Sequence, residues 1–95
     1  MTEFNIQKRT AFSIKGDQGT YTIKPIGQMS IDEIEEVSGI KDDTPLKEQA
    51  VLCRKFVLRE CPDIGREKLG EMGYIEIVKA YFRYEQNGQN SKAGE

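Results

Sequence analysis

The sequence predicts a small α+β protein in which an N-terminal β-hairpin precedes a bundle of three to four helices. Polar and apolar residues alternate in the first 24 residues, apolar residues recur every three or four positions after residue 30, and proline or glycine separates the segments. We therefore expect three parts, which are a hairpin segment over residues 1–27, a helical domain over residues 28–86 and a disordered polar tail over residues 87–95.

The predicted hairpin has two alternating segments joined by a turn. Phe4–Ile14 has a period of two, and Thr20–Lys24 has the same period. The run Gly16–Gly19 between them supplies a glycine-containing loop of about four residues. The apolar residues expected to share one face are Phe12, Ile14, Tyr21 and Ile23. Two strands alone are marginal in water, so this face should lie on the helices or pair with another chain.

A short acidic helix is expected to begin after Ser30. Ser30 and Glu33 have the S-x-x-E spacing of a capping box, in which each side chain binds the backbone of the other residue. Gly39 is the expected C-terminal stop. The apolar residues expected on the buried side of this helix are Ile31, Ile34 and Val37.

Glu35 and Glu36 are candidates for contact with a basic partner. They lie near the C-terminal end of the short helix, where the helix dipole does not favour acids. The alternative interpretation is that they belong to a solvated acidic face, since the surrounding stretch contains six acids and one base.

The central helix is predicted over Thr44–Cys61. Thr44 is the expected cap, Pro45 suits the first turn, and Pro62 forces an end soon after. One apolar stripe should face the core, and its members are Leu46, Ala50, Cys53, Val57 and Cys61, widened by Leu52 and Phe56.

A second apolar line on the central helix is a candidate binding surface. Val51 and Leu58 are seven residues apart among charged residues that include Lys55. These three residues are the predicted partner-binding positions of this helix. The alternative is that the hairpin or the last helix covers the line.

Two more helical segments are expected before the tail. Asp63–Leu69 predicts a short helix with Asp63 as its cap, and Gly70–Gly73 predicts a turn. The last helix should run from Tyr74 to about Glu85, with an apolar, aromatic face that we interpret as core.

The composition excludes several classes of function. The chain has 95 residues, of which 37% are hydrophobic and 32% charged, and its net charge is −2. These values are typical of a globular domain with a small core and favour neither nucleic acid nor a membrane as a partner. No apolar run resembles a membrane span or an export signal. We therefore expect a cytoplasmic protein.

The cysteine and histidine counts argue against a metal or cofactor. Cys53 and Cys61 should lie about 12 Å apart on one helix, beyond the reach of a disulfide, so we expect free thiols. Two thiols are too few for a closed zinc site, and without histidine no histidine-based triad can form. We expect no metal and no cofactor.

No arrangement of residues in the sequence predicts catalysis. Adjacent acids point about 100° apart on a helix and do not converge, and Cys53 lies on the apolar stripe, where no histidine could activate it. We therefore expect a protein that is not an enzyme. A small DNA-binding regulator is a less favoured alternative, because acids interrupt the basic cluster of Arg54, Lys55 and Arg59.

The order of these elements resembles the small tail assembly chaperones of long-tailed bacteriophages and prophages. The hairpin ends in YTIKPIGQMS, the acidic helix is IDEIEEVSGI, and the last part reads KLGEMGYIEIVKAYFRYEQNG. Leu69, Met72 and Gly73 are similar to the L-x-x-M/L-turn motif that precedes the last helix in that family. The resemblance covers most of residues 10–88.

The resemblance implies a protein that is not an enzyme and that binds partner chains. It implies binding to the long tape measure protein inside the bacterial host, recruitment of tail tube protein, and release before the tail is complete. A coat of many copies would also favour a homo-oligomer. The alternative within phage assembly is a structural tail component, such as a tail completion or tube-associated subunit, whose hairpin adds strands to a neighbour.

Overall fold

A computed structural model describes the backbone of residues 10–93 and the side chains of residues 10–87. The elements in chain order are β1 (Phe12–Lys15), β2 (Thr20–Ile23), a 3₁₀ helix (Ile26–Gln28), α1 (Ile31–Ser38), α2 (Leu46–Glu60), a second 3₁₀ helix (Pro62–Glu67) and α3 (Glu71–Ala93). An antiparallel hairpin followed by three α-helices confirms the α+β fold that the sequence predicted.

The hairpin has the predicted apolar face. Phe12 lies opposite Ile23 and Ile14 opposite Tyr21, so the four side chains share one face. Tyr21 and Ile23 are buried, and Phe12 and Ile14 are half-buried against the helices. The strand predicted over Phe4–Ile14 begins at Phe12 in the structure, and its residues 4–9 lie outside the described residues.

The Glu67 carboxylate holds the hairpin loop against the second 3₁₀ helix. It accepts hydrogen bonds from the N–H groups of Asp17 (3.0 Å) and Gln18 (2.7 Å) and from the Tyr21 hydroxyl (2.7 Å). A Cβ atom on Gly16 would lie 2.5 Å from this carboxyl group, so a larger residue there would displace the Glu67 carboxylate from the loop. The hydrogen bonds lower the pKa of Glu67 and favour its charged form.

The capping box of α1 is formed as predicted, but one apolar residue faces outwards. Glu33 N–H donates to Ser30 Oγ (3.2 Å), and Ser30 N–H donates to Glu33 Oε1 (2.7 Å). The buried line of α1 is Glu33 and Val37. Ile31 lies two residues, about 200°, from Glu33. It is therefore 70% exposed, and its predicted burial is wrong.

The start of α2 differs from the predicted one. The helix begins at Leu46 after Pro45, and no side chain caps it, so the cap predicted at Thr44 is wrong. The Gln49 side chain instead folds back and donates from Nε2 to the carbonyls of Lys41 (3.0 Å), Asp42 (3.2 Å) and Thr44 (3.1 Å). The stripe residues Ala50, Cys53, Phe56, Val57 and Cys61 are buried, whereas Leu46 at the helix start is exposed.

The second 3₁₀ helix has Pro62 in its first turn and no side-chain cap, so Asp63 does not cap it.

The last helix is longer than predicted at both ends. α3 begins at Glu71 and includes Gly73, where the sequence predicted a turn. It continues through Ala93, over most of the segment predicted as a disordered tail, because lengthening an existing helix costs less than starting one.

The hairpin and the helices share one core. Its fully buried side chains come from β2, α2, the second 3₁₀ helix and α3, and they include Ile23, Phe56, Ile64 and Tyr81. The Tyr81 hydroxyl donates to the Lys24 carbonyl (2.8 Å), which joins α3 to the end of the hairpin. The described part of the segment over residues 1–27 is therefore packed into the same core as the helical domain.

Candidate functional site

The predicted apolar line on α2 lies in an open groove. One part of the groove has a volume of about 260 Å³ and the next about 340 Å³, and both parts are lined by Arg54, Leu58 and Glu71. We call the two parts together the α2 groove. Its remaining lining residues are Ala50, Val51, Lys55, Gly65, Lys68, Leu69, Gly70 and Tyr74. The structure therefore brings together three predicted partner-binding residues, Val51, Lys55 and Leu58.

The apolar line is only partly covered. Val51 is 60% exposed and Leu58 is half-buried, beside Gly65 of the second 3₁₀ helix. Seven residues on a helix span two turns, about 10.5 Å. The alternative in which the hairpin or the last helix covers this line is therefore wrong for Val51.

Positive charge borders the α2 groove. Arg54 and Lys55 project from α2, Lys68 lies in the loop before α3, and Glu71 is the acid among the lining residues. Lys55, whose side chain is 72% exposed, forms an ion pair with Glu36 at 3.8 Å, which solvent screens on the lysine side. Within residues 10–87, no ion pair involves Arg54 or Lys68.

The two acids predicted to face a basic partner have different positions. The Glu36 side chain is 10% exposed and accepts a hydrogen bond from Arg59 Nη1 (3.2 Å). It therefore holds α1 to α2, and its predicted role in partner binding stays a prediction. Glu35 is exposed on α1, outside the lining of the α2 groove.

A carboxyl pair that the sequence did not predict lies between α1 and the end of α2. Lys24 Nζ is 2.8 Å from Glu33 Oε2, and the Glu33 carboxylate also interacts with the Glu60 carboxyl group. Burial and the neighbouring Glu33 raise the pKa of Glu60 to about 7. Hydrogen bonds to Glu60 and Lys24 lower the pKa of Glu33. These opposite shifts favour a neutral Glu60 beside a charged Glu33. The two residues are 27 positions apart in sequence, beyond any local signal.

A second cavity of about 380 Å³ lies between β1 and α3. Most of its walls are apolar, and they include Phe12, Ile14, Leu69, Ile77 and Ala80. Of its two acids, Glu67 is held by the hairpin loop and Glu76 comes from α3. The cavity offers mainly apolar contacts, and two of its polar groups, the Tyr21 hydroxyl and the Glu67 carboxylate, already bond each other (2.7 Å).

The cavity follows the outer edge of β1. Gly16 N–H donates to the Gly19 carbonyl (2.8 Å), so these two residues form a hydrogen-bonded pair. Along an antiparallel ladder, hydrogen-bonded pairs alternate with pairs that are not hydrogen-bonded. Ser13 and Lys15 consequently direct their backbone N–H and C=O groups away from β2. Among the described residues no strand pairs with this edge.

Within the described part of the chain, no three histidine, cysteine or acidic side chains lie where they could hold a metal ion. No helix of that part is both long enough and apolar enough to cross a membrane.

Comparisons with protein-family models, curated proteins and solved structures found no match. The resemblance to tail assembly chaperones therefore stays a prediction.

Proposed function

We propose that this protein is a phage tail assembly chaperone that acts in the bacterial cytoplasm without catalysis. It binds the tape measure protein through the α2 groove and recruits tail tube protein during tail assembly. The observation that carries the proposal is the apolar line of exposed Val51 and half-buried Leu58 between charged side chains. A surface of this kind suits the binding of another polypeptide.

The chemistry of a chaperone supports this assignment. A chaperone must cover apolar segments of its client and release them later, which favours a shallow apolar line bordered by charges over a deep, enclosed pocket. The α2 groove is open, and charged side chains border it. The element order on which the resemblance is based is also the order of elements in the fold.

The proposal is tested by a pull-down with fragments of the tape measure protein of the same prophage. We expect the wild-type protein to retain at least one fragment, and the Val51→Asp, Leu58→Asp double variant to lose it. Because Leu58 is half-buried, the single Val51→Asp variant is measured as well, and circular dichroism checks that both variants fold.

The matched control is the Ile31→Asp, Leu46→Asp double variant. Both residues are exposed apolar side chains on helices, and both lie outside the α2 groove. We expect this variant to retain the fragment as the wild type does. If the wild type retains no fragment of the tape measure protein, the proposed function is wrong.

A second candidate function is a structural tail component that stays in the particle. The unpaired outer edge of β1, with its adjacent apolar cavity, favours this alternative, because such an edge can receive a strand from a neighbouring subunit. Mass spectrometry of purified particles separates the two candidates. A chaperone should be missing from the particles, whereas a structural component should be present in many copies.

A further inference from the structure

The charges around the α2 groove are unequal. Three cationic side chains, those of Arg54, Lys55 and Lys68, line it together with one acid, Glu71. The whole chain, in contrast, has a net charge of −2. The groove is therefore a local positive region on an acidic protein, and it attracts a segment of the opposite charge.

The walls of the groove also select the conformation of its occupant. α2 satisfies its own backbone hydrogen bonds, and on the other wall the Lys68 N–H already donates to the Gly65 carbonyl (3.1 Å). Along α2, which carries the apolar line, a bound segment therefore finds no free backbone groups and must satisfy its own N–H and C=O groups, as a helix does. The distance from Val51 to Leu58, about 10.5 Å, corresponds to two turns of such a helix.

We propose that the α2 groove binds an acidic amphipathic helix, with apolar side chains on the line of Val51 and Leu58 and acids beside Arg54 and Lys68. The inference rests on the proposed function for the identity of the partner, the tape measure protein. The charge and the conformation of the bound segment are argued from the groove itself.

The test uses two synthetic 18-residue peptides labelled with fluorescein. Both have the same stripe of leucines at helical spacing, and the flanking positions are glutamates in one peptide and lysines in the other. In fluorescence anisotropy we expect the glutamate peptide to bind at least about tenfold more tightly than the lysine peptide. Its affinity should fall roughly threefold or more between 50 and 300 mM NaCl, because salt screens exposed charges.

Charge reversal in the groove should remove this binding. The Arg54→Glu, Lys68→Glu variant should bind the glutamate peptide about tenfold less tightly than the wild type. The matched control, Lys79→Glu with Arg83→Glu, makes the same change in net charge at exposed residues of α3 outside the α2 groove, and it should bind nearly as the wild type does. Equal losses in the two variants would overturn the inference, as would equal affinity for the two peptides.

The same variants separate this inference from the proposed function. If the Arg54→Glu, Lys68→Glu variant retains the tape measure fragments as well as the wild type does, the inference is wrong and the proposed function stands. If the glutamate peptide binds as expected but no fragment is retained, the charge preference stands and the proposed function is wrong. If sedimentation shows that the two substitutions abolish self-association while no peptide binds, the occupant is a second copy and the inference is wrong.

Discussion

At the scale of single residues, the Glu60 carboxyl group determines how stability should depend on pH. The pKa of Glu60 is raised from 4.5 to about 7 in the folded protein, so the folded state binds more protons than the unfolded state between these values. Its contribution to stability is complete below about pH 4.5 and is lost as the pH rises to 7. Glu33 has the opposite sign, because its pKa is lowered and its contribution is lost as the pH falls below about 4.5.

We predict that Glu60→Gln removes most of the fall in stability between pH 5 and pH 8. A glutamine amide donates to the Glu33 carboxylate at every pH, whereas Glu60 donates only when protonated. Thermal unfolding at pH 8 should show a gain of about 1 kcal/mol after solvent screening, or roughly 4–8 °C in Tm.

The control for this prediction is Glu76→Gln, which removes an exposed carboxylate from α3. Its pH profile should run parallel to that of the wild type. A Glu60→Gln profile that is as steep as the wild-type profile would show that protonation of Glu60 does not stabilise the fold.

At the scale of elements, Gln49 joins α2 to the segment that connects α1 with α2. It is buried, and its amide group donates to three carbonyls of the connecting segment, those of Lys41, Asp42 and Thr44. These hydrogen bonds satisfy carbonyls of the connecting segment, whereas a side-chain cap would accept from the first N–H groups of α2. The start of the helix and the preceding loop are therefore stabilised by one side chain from the first turn of α2.

We predict that Gln49→Glu destabilises the protein by about 2–4 kcal/mol at pH 7, because a buried carboxylate would face three carbonyl oxygens and have no donor for them. Urea denaturation measures the loss. Part of the stability should return near pH 4, where the protonated carboxyl group can donate one hydrogen bond.

Glu48→Gln is the matched control, since Glu48 is the exposed neighbour on the same turn. It should change the stability by less than about 0.5 kcal/mol. If Gln49→Glu is as stable as this control, the amide of Gln49 does not hold the connecting segment.

At the scale of the whole molecule, the hairpin and the helices should unfold together. Ile23 of β2 is fully buried with Phe56 and Tyr81, and Cys53 lies in the same core. Both cysteine thiols are buried, and burial raises the pKa of Cys53 and raises that of Cys61 to about 11. The thiols should therefore react with a disulfide reagent only when the core opens.

We predict that Ile23→Ala destabilises the whole protein by about 2–5 kcal/mol, because it leaves a cavity in the shared core. Circular dichroism and thiol labelling should shift to the same lower midpoint. Ile31→Ala, at an exposed site of α1, should leave both midpoints within about 0.5 kcal/mol of the wild type. Two separate transitions would instead support a hairpin segment that folds apart from the helical domain.

Local patterns in the sequence determined the elements and their order. Alternation placed Phe12 and Ile23 on one face of a hairpin, and the spacing of Ser30 and Glu33 placed the start of α1. These features are set within one strand pair or one helical turn, so the residues that cause them are close in the chain. The apolar line of Val51 and Leu58 was visible for the same reason.

Only the tertiary structure decided which faces are covered. Ile31 and Leu46 have the periodicity of core residues but are exposed, because the neighbouring elements set how each helix is turned towards the core. Glu67 and the hairpin loop are about 50 residues apart, and Lys68 reaches the α2 groove from the loop before α3. Such pairings depend on packing between distant segments, on which local periodicity carries no information.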